Sequence, residues 1–157
     1  RQMCIRDRYT ATDQDPNTAY HSSFCNLVFK KENGPMSDLF DITLPILLSA
    51  VDKQNLQLKD LFRIRIGLVT RTPEPIVHPA HKDYHTPHKT GLYYLNQADG
   101  DTIIYNETKE SDKYSVKESI EPKLNRWYNF DGAHYHSSTT PTQTEKRIVI
   151  TFNYETN

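Results

Sequence analysis

Residues Arg126–Tyr154 read RWYNFDGAHYHSSTTPTQTEKRIVITFNY. Three runs rich in aromatic and β-branched residues, Arg126–Phe130, His136–Thr140 and Arg147–Tyr154, are parted by turn residues such as Asp131-Gly132, the pattern of short strands. Working back along the chain, Ser115–Ile120, Asp101–Tyr105 (DTIIY) and Gly91–Asn96 (GLYYLN) repeat it, and Phe62–Val69 alternates in character. Strands at this spacing suggest an antiparallel sandwich or barrel. One convincing helical pattern stands upstream. Ser37 and Asp38 are positioned to cap a helix with Leu39, Phe40, Ile42, Leu44, Ile46, Leu47 and Val51 on its buried side, Pro45 marking a kink or restart. Before it, a turn is expected at Asn33-Gly34-Pro35 and an edge strand within Tyr20–Lys30. The fold class is mostly β, with one or two N-terminal helices packed against the outside.

Composition narrows the functional classes. The chain has 157 residues, the size of one ordinary domain, and buries enough surface to fold without disulfides or a structural metal. Nineteen Lys and Arg against twenty Asp and Glu leave a net charge of −1, which argues against a broad nucleic-acid surface or a polybasic membrane patch. Apolar residues make up 36%, above the range of disordered chains. The longest apolar stretch, Leu44–Val51, is broken by Pro45 and Ser49 and is too short to span a membrane. Cys4 and Cys25 make no disulfide framework and no secretory signal is visible, which predicts a soluble, intracellular protein of the cytoplasm. Residues 1–8 (RQMCIRDR) resemble a translated transposase mosaic-end adaptor, in which ATG TGT ATA AGA GAC encodes Met-Cys-Ile-Arg-Asp. They are expected to be non-native, leaving residues 9–157 as a single domain truncated at its N-terminus.

Four of the seven histidines lie in His78–His88, HPAHKDYHTPH. Their spacing invites a helical zinc site, but Pro79 and Pro87 are incompatible with that helix. In a strand the relevant spacing is two, so His81 and Asp83 project from one face with Lys82 turned away. An imidazole and a carboxylate so placed are two thirds of a facial triad for Fe(II), which needs a second histidine from elsewhere. His134 and His136 are available near the far end of the chain. Taken alone, the pair is a weak signal that reads more readily as surface loop histidines, and the later two are compatible with hydrogen-bonded turn residues.

The order of features adds to this. His81-x-Asp83, then GLYYLN, then Gly100-Asp101-Thr102, then NRWYNFDGAHYHSS, then Arg147 in RIVITFNY together resemble the Fe(II)- and 2-oxoglutarate-dependent dioxygenases. The likeness is to the prolyl-4-hydroxylase-like branch, which includes short viral and marine metagenomic members, and it covers Arg63–Tyr154. It implies a double-stranded β-helix, a jelly-roll barrel, with His81, Asp83 and His136 as metal ligands. The family's distal histidine closes a stretch of the form Phe-Asp-Gly-x-x-Tyr-His, and Arg147 stands at the favoured spacing from His136, with His134 as the fallback. The resemblance further implies that Arg147 and Tyr94 bind the distal carboxylate of 2-oxoglutarate and that Thr102 lines its pocket. Tyr93 points the other way and is expected to pack.

Two departures from the family pattern stand out. Gly100-Asp101 replaces a Gly-Gly pair, and Val149 stands where many relatives carry the Ser of Arg-x-Ser. The implied cofactors are Fe(II), 2-oxoglutarate and O2, with ascorbate supportive. The implied reaction is hydroxylation of a small-molecule or peptide substrate, a peptidyl proline among the candidates, with release of succinate and CO2, and no catalytic side chain beyond the metal ligands. Asp83 argues against the halogenating relatives, which lack this carboxylate. A non-catalytic metal- or ligand-binding, cupin-like jelly roll is the alternative, and a zinc hydrolase on the same ligands a third. A plain metal-binding barrel has no need of Arg147 and Tyr94, and no general base stands out for a hydrolase.

Overall fold

The computed structural model describes residues 23–157; residues 1–8, Cys4 and the expected start of the first strand at residues 20–22 lie outside them. In chain order the elements are β1 (Ser23–Lys30), β2 (Gly34–Pro35), α1 (Phe40–Asp52), β3 (Leu58–Thr70), β4 (Lys89–Tyr94), β5 (Thr102–Tyr105), β6 (Val116–Ile120), β7 (Trp127–Asp131), β8 (His136–Ser138) and β9 (Lys146–Thr156). A six-stranded sheet has the order β2-β1-β3-β9-β4-β7 and a three-stranded sheet the order β6-β5-β8. Two isolated bridges, Val77 to Thr139 and His81 to His136, lay the segment before β4 along the free side of β8. The result is a mostly β, double-stranded β-helix with one helix among the described residues.

Strand β9 explains why the chain folds this way. It lies between β3 and β4, and its residues from Arg147 to Tyr154 are buried apart from a half-buried Ile148. Side chains alternate between the two faces of a strand. Ile150, Phe152 and Tyr154 therefore share one face and pack with Val28, Ile64 and, from α1, Leu47 and Val51. Arg147, Val149, Thr151 and Asn153 share the other, where Val149 packs with Leu92, Tyr94, Ile104, Ile120 and Phe130 between the two sheets. The large sheet thus carries an outer core under the helix and an inner core within the barrel. Gly91 is required where the outer face closes, since a Cβ there would come within 2.5 Å of the Trp127 ring.

The helix differs from expectation in two respects. Ser37 and Asp38 provide no side-chain cap, because the N-cap is Leu39; Ser37 instead accepts from the Leu39 N–H at 3.3 Å, one residue too early. Ile42 is exposed, and the buried stripe is Thr43, Leu47 and Val51, a regular four-residue repeat that leaves Ile42 on the far side. Pro45 lies inside the helix and does not end it. No helix among the described residues is long and apolar enough to cross a membrane.

The loop before β9 is fixed by Asp99. Its carboxylate accepts from the backbone N–H groups of Thr142, Gln143 and Thr144 and from the hydroxyls of Thr142 and Thr144 at 2.7–3.0 Å. Partial burial raises its proton affinity, and these donors together outweigh that, holding the carboxyl well below the usual range. A group depressed in the folded state stabilises at pH values above its unfolded value, about 3.9, and loses that contribution as pH falls. Asp99→Ala should therefore cost about 1 kcal/mol at pH 7, the low end for hydrogen bonds to an exposed charge. In urea titrations its deficit against the parent should shrink toward pH 3; a constant deficit would contradict this.

Candidate metal centre and anion pocket

Asp83 is a buried carboxylate held by several partners. Its side chain is 2% exposed, so the carboxylate needs partners to stay ionised. Arg63 Nη2 donates to Oδ1 at 2.5 Å and Asn153 Nδ2 to Oδ2 at 2.8 Å. Arg63 Nε also donates to Asn153 Oδ1 at 2.9 Å, and Asn153 Nδ2 reaches Thr90 Oγ1 at 3.2 Å. This network crosses three strands in one row, because Arg63 pairs with Asn153 and Asn153 with Thr90. Burial pushes the Asp83 carboxyl up, but Arg63, His136, Arg65 and Asn153 together hold it well below the carboxylate range.

Two imidazoles face this carboxylate. His81 Nε2 lies 3.9 Å from Asp83 Oδ1 and His136 Nε2 3.8 Å from Oδ2. One donor atom from each of the three residues lies within 4.8 Å of the others. The backbones of His81 and His136 exchange two hydrogen bonds of 2.9 Å, so their relative position is set by main chain. His81 Nδ1 sits 3.1 Å from the Pro79 carbonyl, which accepts only; the proton therefore belongs on Nδ1 and the Nε2 lone pair faces Asp83. Burial lowers the His136 pKa to about 4, against the pull of Asp83, so this imidazole is neutral near pH 7, the form that ligates a metal. Two imidazoles and one ionised carboxylate fit a divalent transition metal with open positions.

His81 and Asp83 do not lie in a strand as expected. Only His81 forms a bridge, and the chain bends at Asp83. The bend carries the carboxylate to Arg63 and Asn153, which a straight strand along β8 would not do. His134 is directed elsewhere: its Nδ1 is 2.9 Å from the Tyr105 carbonyl and its Nε2 2.9 Å from Lys117 Nζ. His88 packs its ring against Gly132, where a Cβ would come within 2.2 Å of Nε2, and thereby holds the turn that leads to His136.

A second cluster involves Arg147, Tyr94 and Thr102, all buried. Arg147 Nη2 donates to Thr102 Oγ1 at 2.5 Å and the Tyr94 hydroxyl donates to the same oxygen at 2.8 Å. The Arg147 guanidinium also lies 5.5 Å from the Tyr94 ring centroid. Its Nε is buried without a hydrogen-bond partner, and no ion pair to it exists among the described residues. Burial pulls its proton affinity down and pushes that of Tyr94 up. Arg147, Val149, His81 and Asp83 all line one cavity of about 500 Å³. Tyr93 lies on the opposite face, packed on the outer core, with its hydroxyl donating to Asn125 at 3.0 Å.

Arg63, Arg65 and Asn153 were not among the residues singled out from sequence. The signal for the arginines was the alternation in β3. Ile64 and Ile66 pack toward the helix side, so Arg63 and Arg65 must face the barrel interior.

No protein-family model and no curated protein matches the chain by sequence. Among solved structures it is similar to an oxidoreductase of the 2OG-Fe(II) oxygenase family from Burkholderia pseudomallei, with a TM-score of 0.61 and 13% identity over 85% of this chain and 66% of that one. It is also similar to a prolyl hydroxylase from Trichoplax adhaerens, in complex with a hypoxia inducible factor oxygen degradation domain peptide fragment. There the TM-score is 0.54 and the identity 16%, over 84% of this chain and 62% of that one. The chain thus spans about two thirds or less of each of these proteins and shares their fold.

Removing one partner of a buried pair leaves an uncompensated charge. Arg63→Met should destabilise the protein by about 3 kcal/mol at pH 7. Without Arg63, burial raises the folded-state proton affinity of Asp83, so the penalty applies above that raised value and disappears on acidification. The gap between parent and variant in urea unfolding should therefore narrow from pH 7 to pH 4. A gap that widens instead would show that Asp83 is not kept ionised by Arg63.

Proposed function

We propose that the protein is an Fe(II)- and 2-oxoglutarate-dependent dioxygenase that hydroxylates a small-molecule or peptide substrate and releases succinate and CO2. One observation carries this reading. A single cavity is lined by two members of a His-Asp-His donor set and by a buried guanidinium that no carboxylate of the described protein neutralises. A diacid cosubstrate needs both features, a metal for one end and a fixed cation for the other.

In this reading His81, Asp83 and His136 hold Fe(II) on one side and leave positions open on the other. Arg63 and Asn153 keep Asp83 ionised and oriented, the part that outer partners play at metal sites. Arg147 takes the distal carboxylate of 2-oxoglutarate through its guanidinium fork. The Tyr94 hydroxyl turns from Thr102 to that carboxylate, and Thr102 lines the pocket. Val149 offers no hydroxyl, so Tyr94 and Thr102 supply the polar contacts there. When bound, Fe(II) couples oxidative decarboxylation of the cosubstrate by O2 to hydroxylation of a C–H bond, and ascorbate keeps it reduced. The inner apolar core beside Arg147 limits water. A peptidyl proline is a candidate substrate, on the support that one structure of this fold is a prolyl hydroxylase holding a peptide fragment.

The test is succinate formation from 2-oxoglutarate under air with anaerobically loaded Fe(II) and ascorbate, with and without proline-containing peptides. Iron-dependent succinate is expected, and His136→Ala should abolish it. Arg147→Met should weaken 2-oxoglutarate binding by about 30-fold or more, the cost of truncating one partner of a desolvated charge pair. A folded protein that binds neither Fe(II) nor 2-oxoglutarate would overturn the proposal.

A further inference from the structure

Arg65 lies on the inner face of β3, in register with Leu27 of β1 and Thr151 of β9. It lines the same cavity as Arg63, Asp83 and Arg147. Its Nε is buried and has no hydrogen-bond partner, and no ion pair to it exists among the described residues. The nearby carboxylate is already taken, since Asp83 is held by Arg63 and Asn153. The next position on the same face is Gly67, which projects no side chain and around which a Cβ would find only Val149, at 3.9 Å or more. A guanidinium is therefore kept half-buried beside open space, with its Nε unpartnered and no ion pair of its own among the described residues.

The charge of the cavity points to what is missing. Three guanidiniums and one carboxylate line it, while Lys82 directs its ammonium to the Thr108 carbonyl at 3.0 Å and over the Tyr135 ring. A divalent metal and a doubly negative cosubstrate cancel one another, so a cationic surplus persists with both bound. Arg147 pairs with Val69, four positions along β3 from Arg65, which separates the two backbones by about 13 Å. The two guanidiniums thus originate from different parts of the cavity.

We propose that Arg65 binds an anionic group of the primary substrate, a carboxylate or a phosphate, and so restricts the enzyme to anionic substrates. The proposal rests on the dioxygenase reading for the identity of the other ligands. The same chemistry could be met by the metal-end carboxylate of 2-oxoglutarate itself, and the experiment separates the two sources.

Calorimetric titration is run on parent, Arg65→Met, Arg65→Lys and Arg147→Met proteins, first with 2-oxoglutarate on the anaerobic Fe(II) form. Acetate and sulfate then serve as probes of the Fe(II)–2-oxoglutarate complex and, separately, of the metal-free protein. The expected result is a loss of 2-oxoglutarate affinity in Arg65→Met at least tenfold smaller than that in Arg147→Met, with saturable probe binding weakened tenfold or more and largely restored in Arg65→Lys. If Arg65→Met loses 2-oxoglutarate affinity as Arg147→Met does, Arg65 serves the cosubstrate and the proposal falls. Probe binding that is absent from the parent, or equal in parent and Arg65→Met, overturns it as well. Failure of 2-oxoglutarate to bind the parent refutes the dioxygenase reading, and the metal-free titration still decides the role of Arg65.

Discussion

A carboxylate as far from water as Asp83 ordinarily takes up a proton. It stays ionised here because Arg63, Asn153 and Thr90 stand in one row across β3, β9 and β4. That row depends on register. A slip of one residue between β3 and β9 would turn Arg63 or Asn153 to the helix side and bring Ile64 or Phe152 into the barrel. The same slip would remove Ile64 or Phe152 from the outer core, where both are fully buried. Sheet register and site chemistry are therefore one constraint, enforced by apolar burial on one face and read out as a charged carboxylate on the other.

Magnitudes show which face supplies the stability. Each fully buried Phe, Ile or Leu contributes about 1.5–3 kcal/mol, and the outer core alone holds Leu47, Ile64, Ile150 and Phe152. A buried ion pair, by contrast, is roughly neutral against a well-packed apolar substitute. The polar row on the inner face thus adds little to folding and is tolerated because the helix-covered face stabilises the sheet. The inner face is divided as well. Its apolar members, Leu92, Tyr94, Ile104, Phe130 and Val149, fill one part of the barrel, while Arg63, Arg65 and Asp83 share the cavity.

The strands were legible because their signals are local. GLYYLN, DTIIY and RIVITFNY each carry aromatic and branched residues between turn residues, and each lies on a strand of the structure. The outward direction of Tyr93 followed from the two-residue period alone. What was not legible depends on contacts between distant segments. The bend at Asp83 is set by partners 20 and 70 residues away in sequence, so His81-x-Asp83 read as a straight strand. Ile42 reads as a buried position because the many apolar residues from Leu39 to Val51 blur the helical stripe; only the sheet beneath selects Leu47 and Val51. Arg63 and Arg65 could have been found. A strand whose isoleucines must meet α1 has to turn its arginines inward.

Three guanidiniums in one cavity demand an account that packing does not supply. Two unit charges about 10 Å apart at an effective dielectric of 20 repel by about 1.7 kcal/mol, and burial adds to that cost. Arg63 is offset by Asp83. Arg147 has only neutral partners, the hydroxyl of Thr102 and the ring of Tyr94, and Arg65 has a buried Nε with no partner. An apolar residue at either position would stabilise the fold more. Cations held where they cost stability, beside a candidate metal donor set and facing a common space, are what the proposed binding of anions requires. Because the three differ in what already neutralises them, they are not interchangeable: Arg63 is paired with Asp83, whereas Arg147 and Arg65 each keep a buried Nε without a hydrogen-bond partner.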